Sequence, residues 1–558
     1  MSAAGRVALL AADTEAALAA FTEAVARDPG DFEARYGLAA ALMQAGEPAD
    51  DVLNDARTLQ ALAVVRGAGA DLARLKSDPD YGRRTAMELY AQHHVACASV
   101  VWGMALGAGR IDAAGLLSYA LSLQHQGRIG EAIQYLQVAV ENFPSAALHQ
   151  FLLFPQLFVD GGERAHAQES RAWAARWARA PEPPPFQLAT DERRRLRIGY
   201  VAPSFATSQV RQFLAPVLEA HDPARVEVTL YPADAATETG WPDWIKVRAI
   251  GELSDEAAAT MMRADGIDVL SDCWGHTAGS RLGVFACRPA PVQIAWINFI
   301  QTTGLPQIDY ILHADGAAAL DLSGLFTERL WPIGPVFAPF QPATDRLPPT
   351  ATPARTAGVV TLGSFNHPAK MSDGALAAWA TVLRNAPQTR LMLKYRYFID
   401  PVLQSVTAAR FAAHGVAPER LIFSGHSTGE EYYRAFRAVD LMLDGWPAPG
   451  STTTLEAMSN GVPVLSLAGA TLQGFYARSM LEAAGLEDLA ADTPQDFVGR
   501  ALALVADLDR LDALRERVRP GFEAGPCCDG PSFTRRLEDA FFEMLDRSRG
   551  NSVLPGAA

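Results

Sequence analysis

The chain has 558 residues, 49% of them hydrophobic and 20% charged, with a formal charge of −15. That length predicts about three or four domains, and the acidic balance excludes general nucleic-acid binding, which needs a cationic surface to displace counterions. No apolar run reaches the ~18 residues that span a bilayer, so no membrane insertion is expected. The cysteines Cys97, Cys273, Cys287, Cys527 and Cys528 lack metal-ligand spacing, and the N-terminus lacks a signal-peptide pattern. Both features predict a cytoplasmic protein with reduced thiols.

Residues 1–180 are rich in Ala and Leu and contain no convincing strand. Within them Ala17, Phe21, Ala24 and Pro29 recur as Ala132, Leu136, Ala139 and Pro144, at the same offsets of four, seven and twelve. Small residues let two helices approach, the larger one fills the groove, and Pro ends the second helix. The pattern resembles the tetratricopeptide repeat, although the stretch 50–109 follows it poorly. A degenerate helical-repeat domain is expected, and stacked helix pairs offer a groove for peptides. The run Pro181–Pro185 cannot continue a helix, so 181–193 reads as a stiff linker.

Two α/β series follow. Leu196–Val201, Val226–Tyr231, Val247–Ile250, Val269–Leu270, Gln293–Trp296 and Tyr310–Ile311 read as strands alternating with helices such as Asp255–Ala264. After a Pro/Thr-rich connector at 341–357, strands are expected at Val359–Phe365, Arg390–Lys394, Arg420–Ser424, Leu441–Asp444 and Val462–Leu467. Helices fall between them at Asp373–Asn385 and Glu430–Ala438, and an amphipathic tail helix carries Phe533, Leu537, Phe541 and Met544 on one face. Such alternation predicts parallel sheets. The fold class is therefore an α-helical repeat domain followed by two Rossmann-like α/β lobes, at 194–340 and 358–548. Two such lobes suggest a cleft enzyme with its ligand at the carboxyl ends of the strands.

The stretch Ala448–Pro463 reads as a strand end, a Gly turn and a new helix. Ser451, Thr452 and Thr453 are N-cap types, and a helix start with free amides and hydroxyls suits a phosphate. The same residues would serve an ordinary capped helix equally well.

Several segments together are specific. Gly275-His276-Thr277 with Arg281-Leu282, Val284–Gln293, Thr302-Thr303-Gly304 and Asp309-Tyr310 in the first lobe, and Phe365-Asn366 with Lys370, Ile422–Ser424, Leu443-Asp444 and Gly450–Glu456 in the second, resemble the O-GlcNAc transferase/SPINDLY family. That family is a repeat-bearing branch of the two-lobed (GT-B) glycosyltransferases. The resemblance implies inverting transfer of a sugar from a nucleotide sugar to Ser/Thr of a protein held by the repeats, with no metal and no cofactor. It implies that Lys370 meets charge on the leaving phosphate and that Ser451, Thr452 and Thr453 bind phosphate. Glu456 would hold the ribose, and Asn366, His367 and Tyr432 would line the nucleotide. From the first lobe, His276 and Arg281 would face the reaction, with Thr302 and Thr303 beside the donor. His276 or His367 is a candidate proton acceptor. Removing residues 1–180 is expected to leave nucleotide binding intact and to abolish modification of a protein acceptor.

The chain also departs from the family. Ser204 stands where an Asp is usual, Ser208 and Gln212 stand for two histidines, and Asn298–Gln301 replaces a Gly-rich loop that admits a pyrophosphate. Tyr432 replaces a His against the base, and His367 a Gln. These losses suggest a donor with one phosphate, a CMP-linked nonulosonic acid whose carboxylate Arg211 would pair with, and flagellin as acceptor, as in a bacterial branch resembling this layout. The alternatives are a UDP-GlcNAc-dependent protein transferase and a non-catalytic repeat scaffold. Lys370 and the 451–456 turn weigh against a scaffold, which has no need of them.

Overall fold

The computed structural model describes residues 3–109, 112–180, 186, 194–206, 208–468 and 471–550. Apart from Phe186, the linker read at 181–193 lies outside them. The chain folds as two units assembled from separated stretches. One comprises Ser145–Thr344, Ala470–Glu487 and Pro520–Ala558, the other Met1–Pro144, Asp345–Gly469 and Asp488–Arg519.

The unit containing Ser145–Thr344 is built on a parallel sheet of seven strands: β1 Leu196–Val201, β2 Val226–Tyr231, β3 Lys246–Val247, β4 Val269–Asp272, β5 Val292–Ala295, β6 Tyr310–His313 and β7 Arg329–Pro332. Their order is β3-β2-β1-β4-β5-β6-β7, so the direction of winding reverses between β1 and β4. β1, β2, β4, β5 and β6 coincide with strands read from the sequence to within two residues at either end. β7 does not stand out there, because its two middle residues are only half-buried, Arg329 and Pro332 at its ends are exposed, and it ends in a Pro. Two helices that read as part of the repeat stretch, Ala146–Gln156 and Glu163–Trp177, give Leu153 and Trp173 to this unit's core. Gly304 admits the second of them, because a Cβ there would meet the Ser170 carbonyl at 2.3 Å. The tail helix Gly530–Ser548 buries Phe533, Leu537, Phe541 and Met544, the face its pattern picks out. Phe533 stacks on Trp296 of this unit, although the sequence reading groups the tail with the second lobe. An apolar stripe shows that a helix is covered, not by what.

In the other unit the helical region begins with the helices Thr14–Arg27 and Phe32–Ala45, capped by Asp13 and Asp31, each accepting from an amide three residues on. Phe21 is fully buried and its ring lies where a Cβ on Gly37 would come within 2.3 Å. Burying such a ring contributes about 2–3 kcal/mol. Ala17, Ala132, Leu136 and Ala139 are also fully buried, so the repeated small and large residues form helix contacts.

The same unit holds a second parallel sheet: β8 Val360–Ser364, β9 Thr389–Lys394, β10 Leu421–Ser424, β11 Leu441–Leu443, β12 Val464–Leu467 and β13 Ala490–Ala491. The order β10-β9-β8-β11-β12-β13 again reverses at one point, between β8 and β11. The strands β8 to β12 are the ones read from the sequence, and β13, two residues long, is not legible there. Helix Phe32–Ala45 packs on helix Pro401–Ala413 of this α/β part. Among the described residues, no helix is long and apolar enough to cross a membrane.

Candidate active site

The loops that follow β8 and β11 leave the sheet at its switch point, where ligands of open α/β sheets bind. After β8 comes the short turn Pro368–Lys370, and after β11 the loop Asp444–Ser451. The two loops are tied together. Lys370 Nζ donates to the Pro449 carbonyl at 2.8 Å, and Asn366 Nδ2 to Asp444 Oδ1 at 2.8 Å. Gly445 lets the Lys370 backbone approach, since a Cβ there would lie 2.3 Å from the Lys370 carbonyl oxygen. Burial pulls the Lys370 ammonium below its ordinary pKa, opposed by the charge of Asp444.

Asp444 is the anchor of this arrangement. Its buried carboxylate accepts from the amides of Gly445 and Gly450 at 2.9 and 2.7 Å, and from Ser466 Oγ at 3.0 Å as well as from Asn366. The Gly450 amide fixes where the helix Thr452–Ser459 begins. Ser451 occupies its N-cap but makes no side-chain cap bond. First-turn amides have no partner within a helix, and the dipole there favours an anion. The hydroxyls of Ser451, Thr452 and Thr453 lie at this start, half-buried.

One turn further on, Glu456 Oε2 accepts from the Tyr432 hydroxyl at 2.7 Å. Burial, with Glu456 beside it, pushes the Tyr432 phenol well above its ordinary pKa, so it stays a donor. The helix Gly429–Arg437 supplies Tyr432 from the strand on the far side of β9, an adjacency that sequence spacing does not reveal. Lys370, Asn366, Ser451, Thr452, Thr453, Glu456 and Tyr432 thus fall on loops and helix starts at the carboxyl end of one sheet.

His367 turns elsewhere. Its Nδ1 accepts from the Ala369 amide at 3.0 Å, and its Nε2 pairs with His125 Nδ1 at 2.9 Å. Neither nitrogen is left to take a proton from an acceptor.

In the other unit, the loops after β1 and β4 flank the first sheet's switch point. His276 follows β4, yet its ring is buried between Trp173 and Phe299. Nε2 lies 2.7 Å from the Thr303 carbonyl, which makes it the protonated nitrogen, and Nδ1 lies 3.5 Å from Gln150 Nε2. Burial pushes this imidazole down to about 3, so it is neutral and structural in its contacts. Arg281 is spent as a brace: it donates to Asp255 Oδ1 at 2.9 Å and to the carbonyls of Ile250 and Leu253 at 2.6 and 2.9 Å. Thr302 and Thr303 are fully buried and both hydroxyls donate to Glu328, Thr302 at 2.6 Å. These four residues, expected to face the reaction or to lie beside the donor, are engaged within their own unit. Arg211 lies over the Trp241 ring at 4.4 Å and donates to the Thr239 carbonyl at 3.3 Å.

The sequence pattern of glycosyl transferase family 41 matches residues 132–337 and 355–536, most of the chain. The chain belongs to that family. A tetratricopeptide repeat pattern matches residues 8–50. The probable UDP-N-acetylglucosamine–peptide N-acetylglucosaminyltransferase SPINDLY of Oryza sativa subsp. japonica is 34% identical over 394 residues, 68% of this chain and 42% of that protein. Its namesake from Arabidopsis thaliana is 32% identical over 388 residues, again 42% of that protein and 67% of this chain. The chain therefore spans under half the length of these curated relatives. A solved mutant of the Thermobaculum terrenum O-GlcNAc transferase matches 99% of both chains with a TM-score of 0.74 and 28% identity. The class read from the sequence, helical repeats followed by two GT-B lobes, is the one observed.

Three carboxylates carry contacts that the motifs alone do not reveal. Asp444, part of the Leu443-Asp444 pair, holds the turn before the helix Thr452–Ser459, and its signal was its place directly after a strand. Glu328 locks the Thr-Thr-Gly segment. Glu238, buried, accepts from Ser204 Oγ at 2.8 Å and from the Phe205 amide at 2.9 Å, bringing a carboxylate to the position where the usual Asp is missing. Nothing in the spacing links 238 to 204. Among the described residues, His94, Cys97 and Asp400 bring their ligand atoms within 4.8 Å of one another. Asp400 already accepts from the amides of Ala96, Cys97 and Val402 at 2.7, 3.1 and 2.9 Å, at the positive ends of two helices. That field opposes a cation, and burial keeps the Cys97 thiol protonated.

Proposed function

We propose that this chain is a protein O-glycosyltransferase that moves N-acetylglucosamine from UDP-N-acetylglucosamine to a Ser or Thr hydroxyl. The observation that carries the transfer chemistry is the convergence of Lys370, held at the Pro449 carbonyl, with the uncapped helix start at Ser451. A fixed ammonium and free first-turn amides meet the charge that builds on a departing diphosphate, and positioned charge of this kind is usually the largest single term in such catalysis. Glu456, supported by Tyr432, is a double acceptor suited to the ribose diol. The acceptor oxygen attacks the anomeric carbon from the face opposite the phosphate, the bond to the phosphate oxygen breaks, and the configuration inverts. The nitrogens of His276 and His367 being taken, the departing phosphate receives the hydroxyl proton. Charge neutralisation by Lys370 and the amides is the part of the step assigned to protein groups, with no role given to a metal.

The donor assignment is supported by the names of the relatives, which carry UDP-N-acetylglucosamine. It replaces the expected CMP-nonulosonic acid. That expectation drew on the losses at 204, 208, 212 and 298–301 and on Arg211 as partner of the sugar's carboxylate; the Arg211 guanidinium is stacked on Trp241 and bonded to the Thr239 carbonyl. No observation points to flagellin, so the acceptor is stated only as a protein hydroxyl. Calorimetry with UDP, UDP-N-acetylglucosamine and CMP tests the reading. UDP and its sugar should bind, with CMP at least tenfold weaker; tight CMP binding with none of UDP would sink it, and binding of neither would return the chain to the scaffold class.

A further inference from the structure

The helical stretch that precedes the first lobe touches the turn carrying Lys370. His125 directly follows the helix Ala113–Gln124, and its Nδ1 lies 2.9 Å from His367 Nε2. On its other side, Nε2 lies 2.9 Å from the Tyr90 hydroxyl of another helix, Pro79–Ala91. The His125 ring also stacks on Tyr397 at 4.5 Å and 27°. Gly127, at φ +80°, brings the chain so close to this turn that a Cβ would lie 3.2 Å from the Pro368 carbonyl.

The hydrogen bonds set the protons. Because the Ala369 amide donates to His367 Nδ1, that nitrogen carries no hydrogen, and the neutral ring bears it on Nε2. His367 Nε2–H must then donate to His125 Nδ1, so His125 bears its hydrogen on Nε2 and donates to Tyr90. Burial holds both imidazoles far below their ordinary pKa, which agrees with two neutral rings. The result is one directed chain, from the Ala369 amide through two imidazoles to a tyrosine, and it begins inside the three-residue turn Pro368–Lys370. Residue 367 thus faces the helical stretch.

We propose that His125 is a positioning residue for the donor site: from the helical stretch it fixes His367, and through His367 the turn that presents Lys370. The helical region is then a structural part of the transfer site as well as a place for acceptors. The link to turnover rests on the role given above to Lys370; the link to the turn does not.

The test uses the full chain with His125→Phe, which keeps a ring against Tyr397 and removes both hydrogen bonds, and His125→Gln, whose amide oxygen can still accept from His367. Amide hydrogen exchange of the segment 366–371 reads the turn directly. Exchange is expected about fivefold or more faster in His125→Phe, and close to the parent in His125→Gln. Exchange unchanged in His125→Phe overturns the proposal. With UDP-N-acetylglucosamine and an acceptor peptide, kcat should fall about tenfold or more in His125→Phe with the peptide KM unchanged, and recover in His125→Gln. A parent without turnover would sink the functional reading alone, since exchange still decides the positioning role. Should His125→Phe fail to fold, Tyr90→Phe takes its place, with faster exchange at 366–371 expected and none overturning the idea.

Discussion

Lys370 is held by a carbonyl at 2.8 Å in a half-buried place where burial alone would favour loss of its proton. The charge of Asp444 opposes that loss, so the pair keeps a cation beside the free helix start. Replacing Lys370 by Ala should reduce transfer by on the order of 10²-fold or more while the protein stays folded. Initial rates with a labelled donor check this, and parent-like turnover would remove Lys370 from the mechanism. His276 invites a different measurement. Its folded pKa is depressed to about 3 by burial, so below the unfolded value near 6.5 the unfolded chain binds the extra proton and stability is lost as pH falls. His276→Gln takes up no such proton. Its stability deficit against the parent should therefore shrink by about 2 kcal/mol between pH 7 and pH 5. Urea titrations at both values would show it, and a deficit independent of pH would mean that the ring takes up its proton as readily in the fold as in the unfolded chain.

At the scale of elements, the turn between β11 and the helix Thr452–Ser459 depends on one glycine. A Cβ on Gly450 would lie 2.7 Å from Thr454 Oγ1, 3.0 Å from Asn366 Oδ1 and 3.3 Å from Asp444 Oδ1. Gly450→Val should push these polar groups apart, costing about 1–3 kcal/mol of stability. Nucleotide affinity should fall with it, because the same displacement moves the first-turn amides. Calorimetry and a denaturation midpoint test both, and an undisturbed affinity would detach the turn from the nucleotide. This turn was legible in the sequence from Pro449-Gly450 followed by three hydroxyl residues. The partners of the first-lobe residues were not. A motif marks His276, Arg281, Thr302 and Thr303 as special, but whether each side chain meets a ligand or its own lobe depends on residues 20 or more positions away, such as Asp255 and Glu328.

For the whole molecule, the sequence reading expects the first 180 residues to be removable without harm to nucleotide binding. The fold argues the opposite, because Met1–Pro144 and Asp345–Gly469 belong to one unit. The buried Asp400 carboxylate caps its own helix Pro401–Ala413 and also accepts from the amides of Ala96 and Cys97. Gln60 Nε2 donates to Ser405 Oγ at 3.0 Å, and Arg6 pairs with Glu419. A chain lacking residues 1–144 would leave that carboxylate short of donors and uncover the part of helix Pro401–Ala413 on which helix Phe32–Ala45 packs. It should aggregate or lose measurable nucleotide affinity, as light scattering and calorimetry would record. A soluble truncation that binds UDP as the parent does would restore the separable domain.

Period and punctuation in the sequence determined much of this protein by themselves. Alternating strand and helix patterns, the Ala-rich helices with their repeated offsets and the Pro-Gly turn before Ser451 are short-range signals, because local backbone preference and side-chain period are set within a few residues. Only the tertiary structure decided which stretches share a core, that the tail helix stacks Phe533 on Trp296, and that His125 closes on His367. Those contacts join residues more than 200 positions apart. Apolar surface is non-directional in its pull, so the sequence can say that a face will be buried while its partner is settled only when the whole chain packs.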